Sequence, residues 1–234
     1  MTFLVTIHAI DYALIAADKM EVAQVGADII PVRMDVDKII DTGIGLMTGS
    51  GYVTLLDAVK KAVSNAEITH TDQILRIILH ERSAIENSSC ISEQQKSEFV
   101  KNTGWLFTYL TQIDRNPRIR VAFYSPHISE KYLSLVEENR CNAFFPSDAT
   151  KDIRDSFIDI LKNNMASSKC SSTIEATLTH NTSLVLRLMS DMSKISSFVS
   201  EVCDIGIVLL GGKTLMAKII SIHTPNISFK DINS

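Results

Sequence analysis

The feature that most constrains this chain is a blockwise change in the period of its apolar residues. Short runs rich in β-branched residues, at 3–7, 13–17, 38–40 and 44–48, come before any helical pattern. After Gly51 the spacing shifts. Val53, Leu55, Leu56, Val59 and Val63 recur along one helical face, as do Ile74, Leu75, Ile78 and Leu79 behind an N-cap predicted at Thr71. Strand-like runs return at 104–113, 119–124 and 142–145, read as a three-stranded meander. Helical spacing follows at Ile153, Phe157, Ile160 and Leu161, and again at Leu184, Leu186, Leu188 and Met192; a last hairpin joins 205–210 to 214–222. Blocks of strands followed by blocks of helices favour antiparallel sheets with helices on their outer faces over a parallel βαβ fold. The prediction is therefore α+β: a four-layer αββα sandwich, two antiparallel sheets flanked by helices.

At 234 residues and 45% hydrophobic, the chain is long enough to bury a large core, and one domain over 1–234 is expected. The net charge of −4 gives no basic excess for nucleic acid. No apolar run nears the roughly 20 residues of a membrane helix, and the first residues do not read as a secretory signal, so no membrane partner and a cytoplasmic location are expected. Cys90, Cys141, Cys170 and Cys203 lie far apart without a Cys-x-x-Cys pair, as reduced thiols do.

Connections are predicted from breakers and turn residues. The segment 22–36, with Gly26 and Pro31, reads as an irregular linker, and 87–102 as a polar loop or a short helix. The segment 165–182, rich in Ser and Thr, reads as a mobile connection.

The residue with the most chemical promise is Thr2, directly behind Met1. A threonine hydroxyl is a poor nucleophile without a base in reach, and an amino-terminal threonine carries one in its own α-amine. That amine has an unperturbed pKa of about 7.7 to 8.0, suited to taking and returning a proton near neutrality. A nearby lysine favours the neutral amine and a carboxylate holds the lysine in place, roles that Asp18 and Lys38 suit.

Taken together, Thr2, Ala16-Ala17-Asp18, Lys38-Ile39-Ile40 and Gly45-Leu-Met-Thr-Gly49-Ser-Gly51 resemble a proteasome β-type subunit of the amino-terminal-nucleophile (Ntn) hydrolases. The order of elements agrees over nearly the whole chain, while the identifiable motifs lie in the first 51 residues. The resemblance implies a threonine-type peptidase with Thr2 as nucleophile once Met1 is removed, Asp18 and Lys38 as its charged pair, and the Gly49 N–H as oxyanion donor. It also implies a homo-oligomer acting on peptides or unfolded proteins, with an unfoldase or other protein partner, and neither cofactor nor metal. The loop leading to Lys38 is longer here than in typical members. Asp191 takes the place of the aspartate in the family's Asp-x-x-Ser pair, with Lys194 three residues on and Ser193 and Ser196 nearby. Phe145-Pro-Ser147-Asp148 stands where members carry a Gly-Ser-Gly-like turn. The run Ser200-Glu-Val-Cys-Asp204-Ile-Gly-Ile is similar to the bacterial proteasome-like peptidases called Anbu. A second reading has the same fold without catalysis, as a bacterial interaction or toxin-neutralising protein, because function lives in the site.

Other motifs lead elsewhere. Gly211-Gly212-Lys213-Thr214 lies between two strand-like runs and misses the phosphate-loop spacing, so it reads as a hairpin turn. The six histidines lack the i, i+4 spacing of a zinc site, and Gly49-Ser50-Gly51 lacks the residues of a nucleophile elbow.

Overall fold

The structure, a computed structural model, describes residues 2–25, 28–166, 173–219 and 227–232. The first six strands are β1 (Leu4–His8), β2 (Tyr12–Asp18), β3 (Glu21–Val25), β4 (Asp28–Arg33), β5 (Ile40–Asp41) and β6 (Gly45–Ser50). Helices α1 (Val53–Ser64), α2 (Thr71–Glu86) and α3 (Glu93–Lys101) follow, then β7 (Gly104–Ile113), β8 (Asn116–Tyr124), β9 (Ser134–Val136) and β10 (Arg140–Phe144). Helices α4 (Lys151–Asn164) and α5 (Ile174–Ile195) and strands β11 (Cys203–Leu209), β12 (Thr214–Ile219) and β13 (Lys230–Asp231) complete the order.

The strands form one six-stranded sheet, β10-β1-β2-β11-β12-β13, and one five-stranded sheet, β5-β6-β7-β8-β9, with every pairing antiparallel. Successive residues of a strand point to opposite faces, and here both faces are covered. From β1 and β2, Val5, Leu14 and Ala16 pack under α4 and α5, while Leu4, Ile15 and Ala17 meet Leu46 and Leu106 of the other sheet. From β6 and β7, Met47, Trp105 and Phe107 pack under α1 and α2. Three apolar cores thus separate four layers, helices, sheet, sheet and helices, as the block order predicts.

Several elements differ from the sequence reading. The segment read as irregular holds the ribbon β3–β4, in which Val22, Ala23, Ile30 and Val32 supply strand character. Pro31 is tolerated because a two-stranded ribbon has free edges where a missing N–H breaks no ladder. Six strands, not four, therefore precede α1. The polar segment 87–102 contains α3, started by a capping box between Ser92 and Gln95. The N-cap of α2 is His70, one residue before the predicted Thr71, with Gln73 closing the box. The meander on β7 and β8 is closed by the short β9; β10 crosses to pair with β1 in the other sheet. The crossing turns at Asn139, whose φ of 59° lies in the left-handed region and whose N–H donates to the His8 carbonyl. Helix α5 starts at Ile174 behind the N-cap Thr173, well before the predicted onset. Its first turns tolerate polar residues because Thr177 bonds back to the carbonyls of Thr173 and Ile174, and Asn181 donates to the Tyr12 hydroxyl. Residues 167–172 of the Ser/Thr-rich segment, and 220–222 of the last predicted strand, lie outside the described residues.

Candidate active site

The open end of the β1–β2 hairpin is closed by Asp18. Its carboxylate accepts from the N–H of Phe3 and of Met20, both at 2.9 Å, and its own N–H donates to the Phe3 carbonyl. This fixes Thr2 immediately beyond the hairpin, 5% exposed. Lys38 arrives from the extended segment after the β3–β4 ribbon. Its Nζ lies 2.8 Å from Thr2 Oγ1 and 3.3 Å from Asp18 Oδ2, and also donates to the Met20 carbonyl. Ser50, at the end of β6, accepts from Thr2 N at 3.1 Å and donates to Thr2 O at 3.2 Å.

The electrostatics of this pair follow from burial. Desolvation pulls the Lys38 ammonium below its ordinary value, against the opposing pull of the Asp18 carboxylate. Desolvation pushes Asp18 up, against Lys38 and the two backbone donors. A lysine held this way reaches its neutral form, able to accept a proton, at lower pH than a free one.

Gly49 lies on β6 and lines the same cleft as Thr2 and Lys38. A Cβ at this position would come within 2.6 Å of Leu56 Cδ2 and 2.9 Å of Trp105 Cδ1, so any side chain here would force both to shift. Met20, Val22, Val36, Val53 and Leu56 give the cleft apolar walls, and Glu21, Asp57 and Lys60 stand at them. Its volume is about 40 Å³. A water molecule needs roughly 10–15 Å³, so only small groups enter fully.

Thr2, Asp18, Lys38 and Gly49 are thus brought together, and Asp191 is not among them. Asp191 sits on the outer part of α5 with a half-exposed side chain, paired to Lys194 at 3.4 Å. The turn before α4 and the residue after α5 do meet, through another pair: Ser196 Oγ donates to Asp148 at 2.8 Å. Sequence reasoning also missed Ser50 and an ion cluster around the buried Lys19, whose Nζ contacts the buried Asp204 and the exposed carboxylates of Asp35 and Asp37. A lysine directly behind the apolar run 13–17 and Asp18 was the available signal for the second. Among the described residues, no group of three or more His, Cys, Asp or Glu side chains is placed to hold a metal ion, and no helix is long and apolar enough to cross a membrane.

This arrangement of two antiparallel sheets between helical layers is the proteasome-like Ntn fold. Its structural neighbours are Anbu proteins. A mutant of Anbu from Hyphomicrobium sp. strain MC1 superimposes with a TM-score of 0.59 at 14% identity, covering 99% of this chain and 87% of that one. Anbu from the same strain gives 0.57 at 13% identity, with 98% and 87% covered. Anbu from Yersinia bercovieri, described as an ancestral beta-subunit, gives 0.59 at 11% identity, with 88% and 82% covered. No family model matches the chain, and no curated protein sequence does.

Proposed function

We propose that this protein is a threonine-type peptidase, a single domain over 1–234 that cleaves peptides or unfolded chains within a homo-oligomer. The observation that carries the reading is the 2.8 Å approach of Lys38 Nζ to Thr2 Oγ1, with Asp18 behind the lysine and the whole group buried. Removal of Met1 exposes the Thr2 α-amine. The Thr2 hydroxyl then attacks the scissile carbonyl, giving its proton to a neutral amine, with Lys38 in direct reach and the α-amine on the same residue. Oγ1 bonds to the carbonyl carbon, and the charge on the former carbonyl oxygen falls to the Gly49 N–H, where such a donor contributes about 3 kcal/mol. The carbon–nitrogen bond breaks as the proton passes to the leaving amine. Water, deprotonated by the same base, hydrolyses the ester left on Thr2. The steps need no cofactor, and Asp18 acts by holding Lys38.

The test begins with the intact mass of protein from its native cell. A mass lacking Met1, with peptide hydrolysis lost in Thr2→Ala while the fold persists, supports the proposal. Met1 retained throughout the population, or hydrolysis unchanged in Thr2→Ala, overturns it in favour of a binding protein without catalysis.

A further inference from the structure

We infer that Lys19 and Asp204 are positioning residues for Lys38, tethering the backbone of the segment that carries it, an inference that rests on the peptidase reading. Residues 34–39 carry neither strand nor helix, so no ladder of hydrogen bonds fixes where Lys38 begins. Asp18 and Lys19, adjacent in the chain, hold this segment at two different places. Asp18 grips the end of the Lys38 side chain. Lys19, fully buried, places its Nζ 2.6 Å from Asp35, 2.8 Å from Asp37 and 3.2 Å from Asp204 Oδ1. The other oxygen of Asp204, Oδ2, accepts from the Lys38 backbone N–H at 3.4 Å. The Lys19 carbonyl also accepts from Val36 N at 3.0 Å. One ammonium therefore reaches residues 35, 37 and, through Asp204, 38.

Lys19 and Asp204 are themselves held. Lys19 N donates to Ser200 Oγ at 2.9 Å and to the Val202 carbonyl at 3.1 Å, and Asp204 sits opposite Ala17 in the β2–β11 register. A buried cation is costly unless carboxylates surround it. Burial pulls the Lys19 ammonium down, but its hydrogen bonds to Asp35, Asp37 and Asp204 outweigh that and raise it. The long connection between Met20 and Lys38, which carries the β3–β4 ribbon, explains why a second tether is needed. The side-chain contact with Asp18 fixes the tip of Lys38 but not its base.

The test compares Lys19→Met, Asp204→Asn, Lys19→Arg and Lys218→Met in the full chain. Lys218 touches Asp37 from the exposed side and serves as the control. Two quantities are read: the rate of reductive methylation at Lys38, followed by mass spectrometry, and kcat and KM on a short peptide. In Lys19→Met, Lys38 methylation is expected to rise on the order of tenfold, the factor one charged hydrogen bond is worth. There kcat falls on the order of 10- to 100-fold, the cost of a small misplacement, with KM within about twofold. Asp204→Asn, which keeps an acceptor for the Lys38 N–H and is the variant most certain to fold, shows the same changes to a smaller degree. Lys19→Arg and Lys218→Met stay near the unmodified protein. Equal Lys38 methylation in folded Asp204→Asn or Lys19→Met and the unmodified protein overturns the inference. If the unmodified protein hydrolyses nothing, that counts against the peptidase reading alone, and the methylation rates still decide this one.

Discussion

Ser50 holds both polar groups of the Thr2 backbone: its hydroxyl accepts from Thr2 N at 3.1 Å and donates to Thr2 O at 3.2 Å. Both bonds are made by one hydroxyl at the end of β6, and Thr2 and Ser50 are both buried. Ser50→Ala leaves both Thr2 groups without that partner, which costs about 1–3 kcal/mol when no water replaces it. The expected outcome is a modest fall in melting temperature and a drop in kcat on the order of tenfold or more, because the hydroxyl of Thr2 loses its fixed position. Thermal unfolding and steady-state kinetics check the two separately.

Lys38 sets a pH dependence whose sign is fixed by burial. Its folded value lies below the ordinary 10.5, so between the two the unfolded chain binds a proton that the folded chain does not. Its contribution to stability is therefore fully present above 10.5 and is lost as pH falls toward the folded value. The difference in stability between the unmodified protein and Lys38→Met is expected to shift toward the unmodified protein as pH rises through that window. If Thr2 gives its proton to Lys38 as proposed, the same neutral amine is the active form, and kcat/KM is expected to rise with pH on a limb that Lys38→Met abolishes, as measured by pH titration of peptide hydrolysis.

Much of this was legible in the sequence, for physical reasons that differ between elements. The grouping of Thr2, Asp18, Lys38 and Gly49 was legible through the resemblance of their short motifs to proteasome β-type subunits, since composition and apolar period alone place none of them beside another. The β3–β4 ribbon was hidden by Gly26 and Pro31, which argue for irregularity wherever no partner strand is in view. The crossing of β10 to the first sheet was illegible because a strand's period says which face is apolar but not which sheet it joins. The tether from Lys19 and the Asp148–Ser196 bond join residues 185 and 48 positions apart, a separation at which local pattern carries no signal. Asp191 was matched by its place in a helical run, yet it lies on the outer face of α5, between Met189 and Met192, which turn into the core, so its half-exposed side chain points away from Thr2.

Gly49→Ala tests how closely the cleft is packed. The added methyl meets Leu56 Cδ2 and Trp105 Cδ1 inside van der Waals contact, and both belong to the tightly filled layer beneath α1 and α2. Overpacking of this kind costs typically 1–3 kcal/mol, and here the strain falls on the strand that carries Ser50. Stability and hydrolysis are expected to fall together. A variant with unaltered melting temperature but lost activity would instead place the methyl in the path of the substrate.

Cys203 and Cys90 are expected to report on different depths of the molecule. Cys203 is buried, opposite Asp18 in the β2–β11 register, and its thiol is pushed up to about 12 by burial, with the negative charges of Asp204 and Asp18 adding to the shift. Since the thiolate is the reactive form, Cys203 is silent toward thiol reagents at pH 8 while the fold holds. Cys90 is exposed between α2 and α3 and reacts at once. Timed labelling with mass spectrometry therefore gives a fast phase at Cys90, and a slow phase at Cys203 that follows the opening of β2 from β11. Denaturant should accelerate only the second. Labelling of Cys203 as fast as Cys90 in native conditions would show that the strand carrying Asp18 is not closed, and a charged pair that depends on burial would then lose its altered proton affinity.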